Sequence, residues 1–349
     1  MITHPRVFDD EWTPQELYHR EGAVEVLSEA FDPATQGHAA KNVIIHGPSG
    51  VGKTVLAKHT MGRLEQHADV TTGLIEGLGT TTGAVLRRAV TVAARDTTPP
   101  QNATVEDLRW QLRECIEQPL ILVLDEAEGL PSTDALDQLL AIEQLSIVAI
   151  VHDEDRWLAR ISDDARQAFA VSIGLDRYHI NELAAILRAR AEKGLAESVV
   201  TDTQLEHIAD EVAGVARYGI QSLHAAAQLA AERDHWTIQE QDIEGSFARA
   251  RRRIRRLNLR SLPVHHHVLY ALIRDAGEIS ARTLHTRYDE IADICYRGTD
   301  LMPIGKRERR NKLQKLREYD LIERDGQTYW VCDAEIPAAI DVPAAESRN

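Results

Sequence analysis

The chain is 349 residues long, 43% hydrophobic and 27% charged, with a net charge of −15, the composition of a globular protein of two or three domains. No apolar run approaches the roughly 18 residues of a membrane span. The start, Met1-Ile2-Thr3-His4-Pro5-Arg6, has no apolar core behind it and does not read as a signal peptide, and the three scattered cysteines, Cys115, Cys295 and Cys332, form neither a disulfide framework nor a metal pair, which points to a reducing cytoplasm.

Charge is unevenly distributed. Residues 1–248 hold 20 Lys and Arg against 40 Asp and Glu, whereas residues 249–331 hold 19 against 11. An acidic body is joined to a basic C-terminal module, and that asymmetry points to nucleic acid. The surplus of carboxylates on the body, with arginine preferred over lysine in the basic part, also suits a protein kept soluble at high internal salt, where surface charge is screened.

Along the chain, residues 1–40 read as a polar lead-in with one amphipathic helix. Thr13-Pro14 is a suitable start, and Val24, Leu27 and Phe31 share a face. A strand near 42–46 leads into Gly47-Pro48-Ser49-Gly50-Val51-Gly52-Lys53-Thr54, which matches G-x-x-x-x-G-K-[ST] between a strand and a helix. That context makes it a phosphate loop: glycines let backbone N–H groups curl inward, Lys53 reaches the β- and γ-phosphates, and the Thr54 hydroxyl ligates Mg²⁺. A helix over 53–66 follows, with a favourable dipole end behind the loop. Then come a strand near 70–76, a helix near 82–95, a break at Thr97-Thr98-Pro99-Pro100, and a helix near 104–116. Leu120-Ile121-Leu122-Val123-Leu124 is an unbroken apolar run suited to a strand buried on both faces of a parallel sheet. It ends in Asp125-Glu126, placing Asp125 to support the metal and Glu126 to polarise an attacking water. A helix near 132–141 and strands near 146–151 and 170–174 complete an alternating pattern, the mark of a parallel α/β sheet with helices on both faces.

From 181 to 256 the pattern is helical, with Asn181 as an expected N-cap. Seven arginines, from Arg249 to Arg260, then mark the approach to the basic module, as a solvated face or as phosphate contacts. Helices over 262–274 and 281–291 precede the strongly basic stretch Gly305–Arg317, in which Leu313 and Leu316 face inward and Arg307, Arg310 and Lys315 face out. Asp325-Gly326 between two short apolar runs signals a hairpin. Helix, helix, basic helix, hairpin is the order of a winged helix-turn-helix, whose third helix can enter a major groove. Arg307, Arg309, Arg310 and Lys312 are the candidate DNA contacts. His265, His266 and His267 are consecutive, so on a helix they diverge and do not converge on a metal.

Taken together these motifs resemble the archaeal initiators of the origin recognition and cell division control family, AAA+ proteins that bind replication origins. Thr13–Glu21 is similar to the family's Pro-x-x-Leu-x-x-Arg-Glu segment, which lies near the adenine. Gly47–Thr54 and Leu122–Glu126 match its two Walker motifs, and Gly214-Val215-Ala216-Arg217 sits where the family carries its sensor 2 arginine. The resemblance implies an AAA+ P-loop domain over 1–178, an all-helical lid over 179–256, a winged helix-turn-helix over 257–337 and a flexible tail over 338–349. It implies a nucleotide set of Gly47, Pro48, Ser49, Gly50, Val51, Gly52, Lys53, Thr54 and Val55 with Arg20, Tyr178 and Arg217, and a metal held by Thr54 and Asp125. Glu126, Lys53, His152 and Arg217 are the implied catalytic group.

Some positions depart from the family pattern. His152 stands at sensor 1, where the family usually has Asn, and Glu128 stands where it favours Asp. Arg166 occupies the place of an Asp-Pro-Arg-like segment, and Thr80–Gly83 with Arg87 and Arg88 fall where the family has its DNA-contacting insertion.

The implied function is ATP-dependent initiation on double-stranded origin DNA, with slow ATP hydrolysis, ATP/ADP and Mg²⁺ as ligands, and a replicative helicase as partner. The chain would be a monomer in solution or assemble on DNA, in the cytoplasm with the nucleoid. Two other classes stay open: a transcriptional regulator or non-loading initiator paralogue that uses ATP as a conformational ligand, and a protein-remodelling ATPase whose winged domain contacts proteins.

Overall fold

The computed structural model describes residues 1–95, 98–100, 102–130, 132–297, 301–340 and 342. Two compact units divide the chain at Ser246/Phe247.

The first unit begins with a short 3-10 turn, Pro5–Phe8. There follow α1 (Glu21–Thr35), β1 (Asn42–His46), α2 (Lys53–Glu65), β2 (Thr71–Glu76), α3 (Thr82–Ala94), α4 (Val105–Cys115), β3 (Leu120–Asp125), a 3-10 turn at Ala127–Gly129, α5 (Asp134–Leu140), β4 (Leu145–Val151), α6 (Glu154–Leu158), α7 (Asp163–Ala168) and β5 (Phe169–Gly174). The strands lie side by side in the order β2-β3-β4-β1-β5, all parallel. Alternate residues of each strand enter opposite cores. Leu120, Leu122, Leu124, Ile147 and Ala149 pack on one face with Leu86, Leu108 and Leu139. Val43, Ile45, Ile121, Val123, Val148 and Ile150 pack on the other with Leu27, Phe31 and Leu56. Because every strand is parallel, β1, β3 and β4 all end at the same edge of the sheet, with His46 level with Val151.

An all-helical lid follows, made of α8 (Ile180–Gly194), α9 (Asp202–Glu211), α10 (Ala216–Glu232) and the start of α11 (Glu240–Ser261). Two expected helix starts move. Residues 13–20 are irregular and α1 opens only at Glu21, because the segment around Pro14 runs along a cleft instead, where Pro14 O meets His59 Nδ1 at 3.1 Å. The cap of α8 is His179 rather than Asn181, since the Glu182 carboxylate three positions on accepts the His179 N–H at 2.8 Å. The Thr97 position of the expected break lies outside the described residues, while Thr98-Pro99-Pro100 is irregular as expected.

The second unit contains α12 (Val264–Ala276), β6 (Glu278–Ser280), α13 (Ala281–Cys295), α14 (Lys306–Glu318), β7 (Ile322–Asp325) and β8 (Thr328–Val331). The strands form an antiparallel sheet in the order β6-β8-β7. Leu269, Leu272, Leu284, Tyr288, Leu313 and Leu316 are fully or almost fully buried in its core. Two of the seven arginines on α11 are structural: Arg252 pairs with Asp333 at 2.8 Å and Glu335 at 2.7 Å, and Arg255 with Asp320 at 2.7 Å. His266 and His267 are buried, and burial pushes His266 down to about 3. Among the described residues no cluster of metal-ligating side chains is present, and no helix is long and apolar enough to cross a membrane. Most of the expected tail, residues 341 and 343–349, lies outside the described residues.

One buried acid ties the lid together. Asp242 is 0% exposed and bonds Arg233 Nη1 at 2.7 Å, His235 Nδ1 at 2.8 Å and the Gln239 N–H at 2.9 Å. Burial alone raises its carboxyl, but the His235 ring, the Gln239 N–H and the Arg233 guanidinium outweigh it and hold it below the usual 3.8. A lowered folded-state pKa gives stability that is complete above the unfolded value and is lost as pH falls through the folded one. Asp242→Asn is expected to cost about 2–3 kcal/mol at neutral pH. In thermal unfolding it should also flatten the loss of stability below about pH 4; an unchanged acid limb would refute the assignment.

Candidate functional site

The loop between β1 and α2 is shaped by glycines that no other residue replaces without strain. Gly47, Gly50 and Gly52 have φ of 139°, 78° and 96°, in the region that favours glycine. A Cβ on Gly47 would lie 2.1 Å from Leu175 O, and one on Gly50 would lie 2.7 Å from Val215 Cγ1. Backbone just past β5 and side chains of the lid therefore press directly on the loop. Gly52 caps α2, whose first residue is Lys53, so the loop carries both inward N–H groups and a positive helix end. Lys53 is 8% exposed and its Nζ donates to Gly47 O at 2.6 Å and Pro48 O at 2.8 Å. Ser49 and Val51 lie in the same curl, and Val55 lines the adjoining cleft.

One strand separates β1 from β3, yet the two motifs touch. Thr54 Oγ1 donates to Asp125 Oδ2 at 2.7 Å. Asp125 Oδ1 in turn accepts the Glu126 N–H at 3.0 Å. Burial raises the Asp125 carboxyl, with the Thr54 hydroxyl opposing that shift. A hydroxyl and a carboxylate joined at the mouth of a phosphate loop are the oxygen donors that Mg²⁺ prefers. Glu126 follows in a left-handed conformation, φ 53°, which turns the chain sharply into the 3-10 turn. The turn passes so close to β2's end that a Cβ on Gly77 would meet Glu126 O at 2.8 Å.

His152 sits one residue past β4, between the two motifs in sheet order. Its Nδ1 bonds the Glu128 carboxylate. A carboxylate only accepts, so Nδ1 carries the proton. Glu128 is itself held by Arg160, which donates to Glu128 O at 2.7 Å. The two departures from the family pattern thus form one pair. Arg166 pairs with Asp163 at 3.2 Å and donates to Leu158 O at 2.9 Å.

A cleft opens beside the loop, lined by Trp12, Leu17, Tyr18, Val55, Tyr178 and Ile220 among others, and this mostly apolar and aromatic lining is typical of small-molecule pockets. Arg20 and Tyr178 form its hinge side. The Arg20 guanidinium lies 3.8 Å from the Tyr178 ring centre and donates to Asp176 O at 2.6 Å. Tyr178 N donates to Gly214 O at 3.0 Å, and Gly214 has φ 74° with no room for a Cβ against Tyr178 O. Arg217, on the first turn of α10, donates its backbone N–H to Gly50 O at 3.3 Å, while its guanidinium pairs with Asp10.

Sequence reasoning missed Asp10, Trp12 and Arg190. Arg190 is 8% exposed, stacks 3.9 Å over Trp12, and is lowered to about 10 by burial. Its signal was present: it falls on the apolar stripe of Leu183, Leu187 and Ala191. Asp10 lies in an irregular lead-in where periodicity is silent.

On α14 the expected DNA set divides. Arg307 and Arg310 are exposed, as is Lys306. Lys312 is largely covered and pairs with Glu308 at 3.3 Å. Arg309 is a correction: it is 4% exposed, lies 4.3 Å from the Tyr288 ring centre, and donates to Ile304 O, His285 O and Asp289. Its fork ties α14 to α13 and is not available to DNA. Lys315 is likewise buried, over the Tyr319 ring at 4.4 Å.

A model of the AAA ATPase domain matches residues 16–151, and a model of the Cdc6 AAA+ ATPase-type lid domain matches residues 184–248. ORC1-type DNA replication protein 1 of Halobacterium salinarum is 31% identical over 330 residues, spanning 89% of this chain and 100% of the relative. ORC1-type DNA replication protein 9 of the same organism is 27% identical over 347 residues, spanning 97% and 96%. The solved structure of the Aeropyrum pernix ORC1 protein in complex with DNA is similar with a TM-score of 0.73 at 21% identity, covering 95% of this chain and 93% of that one. That of Cdc6p from Pyrobaculum aerophilum gives 0.65 at 20%, covering 94% and 93%. At these identities the structural likeness speaks for the fold alone.

Gly47→Ala tests the loop's packing. With the new methyl group driven into the Leu175 backbone at a positive φ, the variant is expected to lose at least about 2 kcal/mol, read as a fall in thermal midpoint. A midpoint equal to the parent's would show that Leu175 does not confine the loop.

Proposed function

The chain belongs to the archaeal ORC/Cdc6 family of AAA+ replication proteins, and from that premise we propose that it is an ATP-dependent initiator that binds origin DNA. The observation that carries the ATPase half is the Thr54–Asp125 hydrogen bond at the mouth of the glycine loop. The curl of Gly47 to Gly52 and the start of α2 supply N–H donors for the phosphates, and Lys53 adds a positive charge. Mg²⁺, held by Thr54 and Asp125, would neutralise charge on the transferring phosphoryl group. Glu126 would orient the attacking water. Tyr178, Arg20 and Val55 line the cleft in which the base would sit. His152 and Arg217 flank the loop from β4 and from the lid, placed to sense the γ-phosphate. A positioned imidazole held by Glu128 in place of an amide supports slow turnover.

For the DNA half, α12, α13, α14 and the β7–β8 hairpin follow the order of a winged helix-turn-helix. We assign Arg307 and Arg310, with Lys312 at the edge, to phosphate and groove contacts, and Arg309 to holding the helix. Recruitment of a replicative helicase is part of the proposal through the family relation. One observation favours a second reading, an ATP-liganded regulator that never loads a helicase: the His152–Glu128 pair replaces the usual sensor 1 group.

Lys53→Ala is expected to lower nucleotide affinity by at least about a hundredfold in a binding titration, a loss of about 2.7 kcal/mol; retained affinity sinks the assignment. Arg310→Ala is expected to reduce the dependence of log K on log salt by about one, whereas an unchanged slope would remove Arg310 from the interface. Whole-protein binding to DNA from beside its own gene, against scrambled duplex at rising salt with ATP or ADP, tests the function itself. Preference that survives high salt supports an initiator or regulator that reads sequence. Equal binding that vanishes with salt leaves a generic basic surface and favours protein remodelling.

A further inference from the structure

The first dozen residues form a strap on the lid. Ile2 bridges Leu195, Thr3 N donates to Gly194 O at 2.9 Å, and Ala196 N donates to Met1 O at 2.8 Å. Phe8 stacks on His224 at 4.8 Å, and Gln221 Nε2 donates to Phe8 O at 2.8 Å. The strap therefore follows one face of α10, the face that carries His224, Gln221 and, one turn earlier, Arg217. Asp10 ends this track. Its Oδ2 accepts from Arg217 Nε at 3.0 Å and Nη2 at 2.7 Å, and its Oδ1 accepts from Gln221 Nε2 at 3.3 Å.

Both N–H groups on one edge of the guanidinium converge on a single carboxylate oxygen, and that same edge is the one with which arginine recognises phosphate oxygens. The backbone N–H of the same arginine sits on Gly50 O at 3.3 Å, so the side chain starts at the phosphate loop itself. An anion arriving in that loop and Asp10 call on the same donors.

We propose that Asp10 is a specificity-determining residue for the nucleotide: its carboxylate occupies Arg217 and must be exchanged for the γ-phosphate of ATP. ADP lacks that group and leaves the Asp10–Arg217 pair in place. Asp10 thus lowers the preference for ATP over ADP. Exchange also removes one of the two residues of α10 that hold Asp10, leaving Gln221 as the other, so the γ-phosphate is coupled to the hold of residues 1–10 on the lid. This rests on the reading of the loop as an ATP site.

The test is a titration of the full chain with Mg²⁺-ATP and with ADP. Asp10→Asn is nearly isosteric and keeps an acceptor for Gln221. It is expected to tighten ATP binding about three- to tenfold, the effect of freeing a partly exposed charge pair, with ADP within about twofold of the parent. Asp10→Glu keeps the charge and is expected to keep the parent's ratio of the two affinities, which separates charge from packing. In an Arg217→Ala background, Asp10→Asn is expected to change nothing. Weaker ATP binding by Asp10→Asn, or equal shifts for ATP and ADP, would overturn the proposal. Lys53→Ala in the same titration separates the two readings. If it binds like the parent, the ATP site is elsewhere; if it loses binding while Asp10→Asn is silent, only the role of Asp10 falls.

Discussion

The contact between Gly47 and Leu175 sets the geometry on which the rest of the first unit's chemistry depends. The loop after β1 is clamped between backbone of the segment after β5 and residues of the lid, and only positive-φ glycines fit there. Its curl fixes the start of α2, which points Thr54 across to Asp125. That reach works because β4, and not a longer element, separates β1 from β3. A change at one glycine would therefore be felt at Thr54 and Asp125, at Arg217 and in the cleft, even though none of those side chains would itself be altered. Close packing makes such a loop bistable at best and never freely deformable.

The lid adds a second layer of constraint. Gly50 meets Val215 and Arg217, Gly214 meets Tyr178, and Arg20 spans from Tyr178 to Asp176. Loop, cleft and lid are thus held together by close backbone and side-chain contacts. The buried Asp242 ties the turn between α10 and α11 together. A nucleotide would bias this assembly only through contacts that differ between its bound forms, and the charged residues beside Gly50 and Asp125 are where such differences arise.

Much of this was legible in the sequence. The Walker segments were legible because their residue types are chemically forced, and β3 and β4 because unbroken apolar runs have few other destinations. Helix edges were less so: Thr13-Pro14 looks like a start, but the segment packs along a cleft, and Asn181 lost to His179 because the Glu182 carboxylate accepts the His179 N–H. Strand β6 has three residues and no pattern to show. Among the arginines, composition cannot tell structure from recognition. Arg309 and Arg310 are neighbours in a basic run, yet one is sealed under Tyr288 and Asp289 while the other faces out, since successive helix positions point about 100° apart. Asp10 had no local signal at all, because its partner lies 207 residues away.

The division of charge gains a physical meaning from these pairs. On α11, Arg252 and Arg255 are matched to Asp333, Glu335 and Asp320 within the basic unit, so part of that unit's positive charge is internal and never reaches a ligand. What remains outward on α14 is Lys306, Arg307, Arg310 and Arg317. At high ionic strength, where the screening length falls to about 3 Å at 1 M salt, exposed pairs lose most of their attraction, whereas buried ones are screened much less. A protein with an acidic body would bind nucleic acid weakly through bulk charge in such a medium. Its selectivity would then rest on short-range hydrogen bonds in the groove, and the sealed Arg309 fork, by fixing the angle at which α14 presents Arg307 and Arg310, would matter more than the total number of arginines.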